Sequence, residues 1–172
     1  MKKKLNIGCE LDYKQGWVNL DFEKSKITSP DVLWDLNKLP LPFKDEEFSV
    51  IKCTEVLEHI LYPVSVLKEL KRILKKDGEL IVSMPNCGNI ITRLKILFSG
   101  TNDCFSPEMP HHLHNTNINQ QKELYNKFFK IKEIKYNSLD GKIYNKLPKF
   151  IIRFLTNKFP NLFTINMVVK LK

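Results

Sequence analysis

The chain is poor in glycine and cysteine, with six of the first and four of the second among 172 residues. So little glycine excludes a collagen-like chain, and four scattered cysteines exclude a disulfide scaffold. Cys9, Cys53, Cys87 and Cys104 form no CxxC pair; reduced thiols are expected, at least two of them buried in strands. No apolar run approaches the roughly 18 residues of a membrane span. The basic start Met1-Lys2-Lys3-Lys4 runs into Leu5-Asn6-Ile7-Gly8-Cys9-Glu10, which is no signal-peptide core. A cytoplasmic location is the expectation. Arginine is scarce as well: Arg72, Arg93 and Arg153 are the whole set.

What is present fits a globular chain. Hydrophobic residues make up 42% and charged residues 27%, too apolar for a disordered chain. The net charge of +9 is unevenly placed. Residues 1–90 hold 14 Lys/Arg and 14 Asp/Glu, whereas residues 91–172 hold 14 and 5. A basic second half attracts anionic partners. Specific phosphate or base readout recruits arginine, so lysine-rich solvated surface competes with that reading and nucleic acid is not expected.

Apolar runs mark strands at Lys4–Gly8, Trp17–Asp21, Asp31–Asp35, Phe48–Cys53 and Glu79–Met84. Between the last two, residues 64, 67, 70, 73 and 74 form one apolar helical face from Val64 to Lys76. Pro63 suits its start and Gly78 its C-terminal cap. This pattern predicts a parallel sheet covered by helices. One connection is short: Gly8 to Trp17 leaves eight residues, and a parallel crossover normally needs a dozen or more. Either that link lacks a helix or the first two strands are misassigned. Further on, Ile90–Phe98 and Gln120–Phe128 read as helices, Phe129–Tyr136 as a strand, Leu147–Lys158 as an amphipathic helix and Thr164–Leu171 as a final strand. Gly100–Asn119 has little periodicity and reads as a functional loop.

The chemistry gathers at strand ends. In open parallel sheets, ligands bind outside the carboxyl ends of the strands. Gly8-Cys9-Glu10 sits at the first end, Asp21 at the second, Asp35 at the third and Thr54-Glu55 at the fourth. A glycine there lets a ligand approach the backbone. A carboxylate offers two acceptors to a ribose diol. Together they point to an adenosine-containing cofactor.

On these residues the sequence resembles the class I S-adenosylmethionine-dependent methyltransferases, of the compact type found among small-molecule, lipid and glycan-modifying enzymes. The resemblance is carried by Leu5–Glu10, Gly16–Asp21, Asp35–Phe43, Phe48–Ile51, Glu55-Val-Leu-Glu-His59, Leu67–Leu80 and Met84-Pro-Asn86, and more weakly by His112–Phe129 and Phe159–Phe163. It implies a Rossmann-like α/β fold: a mostly parallel, doubly wound sheet of about six to seven strands with an antiparallel C-terminal strand and without the usual N-terminal helices. It implies one domain over 1–172, with a cofactor-binding half (1–87) and a substrate-loop and basic half (88–172). S-adenosylmethionine is the implied cofactor, held by Gly8, Cys9, Glu10, Asp21, Phe22, Asp35, Leu36 and Thr54. Glu55 and His112 are the implied catalytic residues, with His112 as a general base on an acceptor hydroxyl.

Alternatives stay open. Glu58 and His59 read equally as turn-fixing residues. A metal reading of His112 and His114 with Cys104 or Glu108 fits no standard zinc spacing, so no metal is expected. Glu10 stands where the family usually has glycine, which favours a second function class: a binding module or subunit that has lost the cofactor. Leu147, Phe150, Ile151, Phe154 and Leu155, set among lysines, suit an anionic membrane surface or the chain's own sheet. The expected partners are a small-molecule, glycan- or lipid-linked substrate, a peripheral membrane contact and a second copy of the chain.

Overall fold

The computed structural model describes residues 2–10, 12–24, 29–100, 112–139 and 146–172. Seven strands form one sheet: β1 (Lys4–Ile7), β2 (Val18–Asp21), β3 (Val32–Leu33), β4 (Phe48–Thr54), β5 (Leu74–Pro85), β6 (Ile131–Ser138) and β7 (Thr164–Leu171). Their spatial order is β3-β2-β1-β4-β5-β7-β6. The first five run parallel, and β7 lies antiparallel between β5 and β6. The order reverses between β1 and β4, and that reversal opens a crevice at the carboxyl ends.

Among the described residues, five helices accompany the sheet: α1 (Pro63–Ile73), α2 (Ile90–Ser99), α3 (Ile118–Asn126), α4 (Lys149–Lys158) and the single turn α5 (Pro160–Phe163). Val66, Leu67, Leu70 and Ile73 of α1 are buried with Leu5, Ile7, Ile51, Leu80 and Val82 of the strands in one core. Truncating any of these leucines or isoleucines to alanine removes roughly 2–5 kcal/mol. Asn117 caps α3 reciprocally with Gln120, and Asn89 caps α2 by accepting from Thr92 N. Gly100 ends α2 in the left-handed conformation.

The predicted helix over 64–76 is shorter than its periodicity suggests. It stops at Ile73, and residues 74–78 are already extended in β5. The stop is imposed from outside: the Arg72 carbonyl accepts Glu46 N–H at 2.9 Å. The Arg72 guanidinium meanwhile holds Glu69 and Asp45 and donates to the carbonyls of Phe43 and Leu41. Gly78 is therefore no helix cap. It makes room for Leu74, whose Cδ1 would lie 2.6 Å from a Cβ at position 78. The predicted third strand shrinks to Val32–Leu33, leaving Asp35 in the turn that follows. Cys9 and Cys53 are free and buried as expected. Burial and the nearby Asp21 carboxylate push the Cys9 thiol up to about 11. Cys87 departs from the expectation of reduced thiols: it is disulfide-bonded. Cys104 lies outside the described residues.

The short link between β1 and β2 holds no helix among its described residues. The two strands nevertheless pair in parallel, Leu5 to Val18 through Ile7 to Leu20. Side chains do the work a crossover helix does elsewhere. Asn6 Nδ2 donates to Asp12 O (2.7 Å) and to Asn19 Oδ1 (3.1 Å). Asn19 Oδ1 also accepts from Lys14 N, and its Nδ2 donates to Lys14 O, Trp17 O and Asp31 Oδ2. Asp31 Oδ2 further accepts Asn19 N–H at 2.7 Å; the Asn19 side-chain bond first, and this backbone bond second, hold its carboxyl below the ordinary range. Both asparagines are buried. We expect Asn19→Ala to cost about 2–3 kcal/mol in urea denaturation, because it leaves several loop polar groups unpaired. Ala replacing the exposed Asn126 should cost under about 0.5 kcal/mol.

Candidate functional site

A cavity of about 700 Å³ lies at the carboxyl ends of β1 to β4. Gly8, Glu10, Asp21, Phe22, Asp35, Leu36 and Glu55 line it. The structure thus brings together seven of the ten residues singled out from the sequence. Cys9 is fully buried, and Cys9, Thr54 and His112 are not among the lining residues. The sequence reading missed Trp34, Asn37, Val56, His59 and Ile60 of the same wall. Trp34 and Asn37 flank Asp35 and Leu36, so turn periodicity was the signal available for them.

Asp21 ties two strand ends together. Its Oδ2 accepts Glu10 N–H at 3.1 Å and its Oδ1 accepts Phe22 N–H at 2.8 Å. Each carboxylate oxygen accepts more than one hydrogen bond, so capacity remains toward a diol. Asp35 Oδ1 caps its own turn by accepting from Asn37 N and Nδ2. Asn37 Oδ1 accepts Leu61 N–H at 2.9 Å and so joins the β3 end to the segment after β4.

Gly8 is required where it stands. Its φ is +70°, and a Cβ there would lie 2.4 Å from Val56 Cγ2. Glu10 is not among the described residues with positive φ. A side chain at position 10 therefore carries no backbone strain, and the family's glycine is not a conformational necessity here. Glu55 does adopt positive φ, +55°, a strained state for a non-glycine residue. Ser83 Oγ (2.6 Å) and Asn166 Nδ2 (3.0 Å) hold it there by donating to Glu55 Oε1.

The charge of the wall is its clearest chemical feature. Among the described residues, five carboxylates line it (Glu10, Asp21, Glu23, Asp35 and Glu55) and no lysine or arginine does, in a chain of net charge +9. Such a site opposes phosphate groups and favours a polar cation. S-adenosylmethionine carries no phosphate, and its ammonium and sulfonium are cationic. The residues present fit that cofactor better than a dinucleotide.

Behind the cavity a 3₁₀ turn, Leu57–His59, is held by the segment after position 111. Leu113 N and His114 N both donate to Glu58 O (2.7 and 3.2 Å), and His114 Nε2 contacts Ile60 O at 2.8 Å. This brings the His112 ring edge-on to the His59 ring, centroids 4.7 Å apart. Glu58 is 1% exposed, and neither carboxylate oxygen has a hydrogen-bond partner. Burial, with the Glu55 charge adding, pushes its carboxyl up to about 8. Its side chain therefore does not fix the turn by hydrogen bonding, as the structural reading supposed. His111, Cys104 and Glu108 lie outside the described residues.

The two roles of Gly8 are separable. Gly8→Ala should cost about 2–3 kcal/mol by urea denaturation, from φ strain plus the clash with Val56. Gly16→Ala, at φ +77° with nothing within 4 Å of a Cβ, should cost about 1 kcal/mol. Adding Val56→Ala to Gly8→Ala should give less loss than the two single changes summed.

Residues 9–82 match the family described as a methyltransferase domain. A segment of 55 residues is 47% identical to an uncharacterized protein of Methanocaldococcus jannaschii, covering 32% of this chain and 24% of that one. Another, of 41 residues, is 46% identical to the ubiquinone biosynthesis O-methyltransferase of Glaesserella parasuis, covering 24% and 17%. The matched segments thus span a quarter or less of these curated relatives. The fold is similar over nearly the whole chain to a SAM-dependent methyltransferase from Archaeoglobus fulgidus, with TM-score 0.62, 13% identity and 99% and 86% of the two chains covered. It is similar also to an S-adenosylmethionine-dependent methyltransferase from Mesorhizobium loti, with TM-score 0.60, 13% identity and 98% and 89% covered. Residues 9–82 match the methyltransferase domain family, and the fold of the chain is similar to that of solved S-adenosylmethionine-dependent methyltransferases.

Proposed function

We propose that the chain is an S-adenosylmethionine-dependent methyltransferase that modifies an oxygen or nitrogen of a small-molecule, sugar or lipid-linked acceptor. The observation that carries this reading is the cavity at the ends of β1 to β4, which among the described residues is lined by five acids and by no lysine or arginine. When bound, the cofactor supplies a methyl group on an already activated sulfonium, so the protein's task is mainly orientation. Asp21 would accept from the ribose hydroxyls while keeping its bonds to Glu10 N and Phe22 N. Asp35 and the backbone at Leu36 hold the base, beside the Trp34 ring. Gly8 leaves the β1 end bare of side chain. Glu10 adds negative charge for the ammonium. Glu55, pinned by Ser83 and Asn166, faces the entry side, where the acceptor is oriented.

Glu10 does not argue for a cofactor-free module, since its backbone is unstrained. Calorimetry decides between the two function classes. S-adenosylmethionine and S-adenosylhomocysteine should each bind at one per chain, and Asp21→Ala should weaken both by at least about tenfold. NAD should not bind. Binding of S-adenosylhomocysteine should also change tryptophan fluorescence, and Trp34→Phe should remove that signal while Trp17→Phe preserves it. No heat and no thermal stabilisation at millimolar cofactor would remove the enzyme reading.

A lipid-linked acceptor would require approach to a membrane. The described residues include no helix long and apolar enough to cross one. Exposed aromatics of α2 and α4 suit surface contact instead: Phe98 is 81% and Phe150 74% exposed. Lys95, Lys149, Arg153 and Lys158 stand in the same helices, and both helices touch α5. Vesicles containing phosphatidylserine should sediment more of the protein than phosphatidylcholine vesicles, and Phe98→Glu with Phe150→Glu should abolish the difference. Equal sedimentation would restrict the acceptor to soluble molecules.

A further inference from the structure

We propose that Glu58, His59 and His112 form a binding site for one divalent transition-metal cation at the edge of the methyl-transfer cavity. The three side chains offer two imidazole nitrogens and one carboxylate oxygen, all within 4.8 Å of one another. Ligand atoms around one tetrahedral zinc stand about 3.3–3.6 Å apart, given bonds of about 2.0–2.2 Å. Metal binding at that spacing requires the His59 and His112 rings to move closer to Glu58. Two histidines and one glutamate are a ligand set that holds zinc while leaving a further position open.

Glu58 is the independent observation. A carboxyl group 1% exposed, with no hydrogen-bond partner on either oxygen and with His59 Nε2 standing 3.9 Å from Oε1, is costly to bury. The turn backbone is already satisfied by Leu113 N and His114 N on Glu58 O, so the side chain is not needed to fix the turn. A cation that takes the place of the carboxyl proton supplies the missing partner, and the imidazoles complete the set. Neither three consecutive ligands nor a short repeat announces the site. The docking of the segment after position 111 onto the 3₁₀ turn creates it, by setting His112 against His59, 53 positions earlier.

The position gives the cation a role. His59 lines the cavity, so open coordination positions face the side where an acceptor enters. A Lewis acid there lowers the pKa of a bound hydroxyl. This favours oxygen acceptors over nitrogen ones. The catalytic role rests on the methyltransferase reading; the cation site itself does not.

Zinc titration of chelator-treated full-length chain tests the site by calorimetry, with cobalt as the visible-absorption probe. The expected result is one equivalent bound with Kd of about 10 µM or tighter. Glu58→Gln and His112→Gln should each weaken zinc at least about tenfold, with S-adenosylhomocysteine affinity held within about threefold. Manganese provides a variant-free measurement: it should broaden the ring-proton resonances of His59 and His112 in the unaltered chain. Zinc binding with no S-adenosylhomocysteine binding would keep the site and discard the methyltransferase role. Cofactor binding with no zinc uptake would discard the site alone. Zinc bound equally by both variants, or manganese broadening of other histidines only, would also overturn it.

Discussion

The architecture turns on a buried amide pair. Asn6 and Asn19 meet between β1 and β2, and Asn19 carries the connecting loop on both its oxygen and its nitrogen. Parallel neighbours usually require a long crossover; here buried hydrogen bonds hold a short one in place. With β1 and β2 locked in register, Gly8 and Asp21 reach the same rim. Asp21 can then bind Glu10 N, and the wall of the cavity is complete. Loss of the amide pair therefore harms binding through register rather than through any ligand contact.

The site combines two electrostatic regimes. The cavity wall is acidic although the chain is basic, so the positive charge lies elsewhere. Its excess belongs to residues 91–172, while the five acidic wall residues all precede position 56. This division separates cofactor selection from any attraction to anionic surfaces. Glu58 is different from the wall acids: it is 1% exposed and burial raises its carboxyl, whereas Glu10, Glu23 and Glu55 are exposed and Asp35 half-buried.

Much of the sheet was legible because its signals are local. Lys4–Ile7, Phe48–Cys53 and Thr164–Leu171 are apolar or alternating runs with clear breakers, and each falls on a strand. The acids at the ends of β2 and β3 were readable because strand ends position ligands. The end of α1 was not, since a backbone bond from Glu46 and the bulk of Leu74 over Gly78 set it, and neither is a local propensity. Nor was the Glu58–His59–His112 grouping, which spans 55 residues of sequence. Cys9 follows a strand-end glycine in sequence, yet burial removes its side chain from the cavity.

The central claim is that the ends of β1, β2 and β3 form one cofactor-gripping rim. Amide-resolved NMR of the ¹⁵N-labelled chain, titrated with S-adenosylhomocysteine, tests it most directly. The account predicts the largest shift changes at Gly8, Glu10, Phe22 and Leu36, with little change along β6 and the outer part of β7. Saturating ligand that leaves those four amides unmoved, or that moves only β6 and β7, would contradict it.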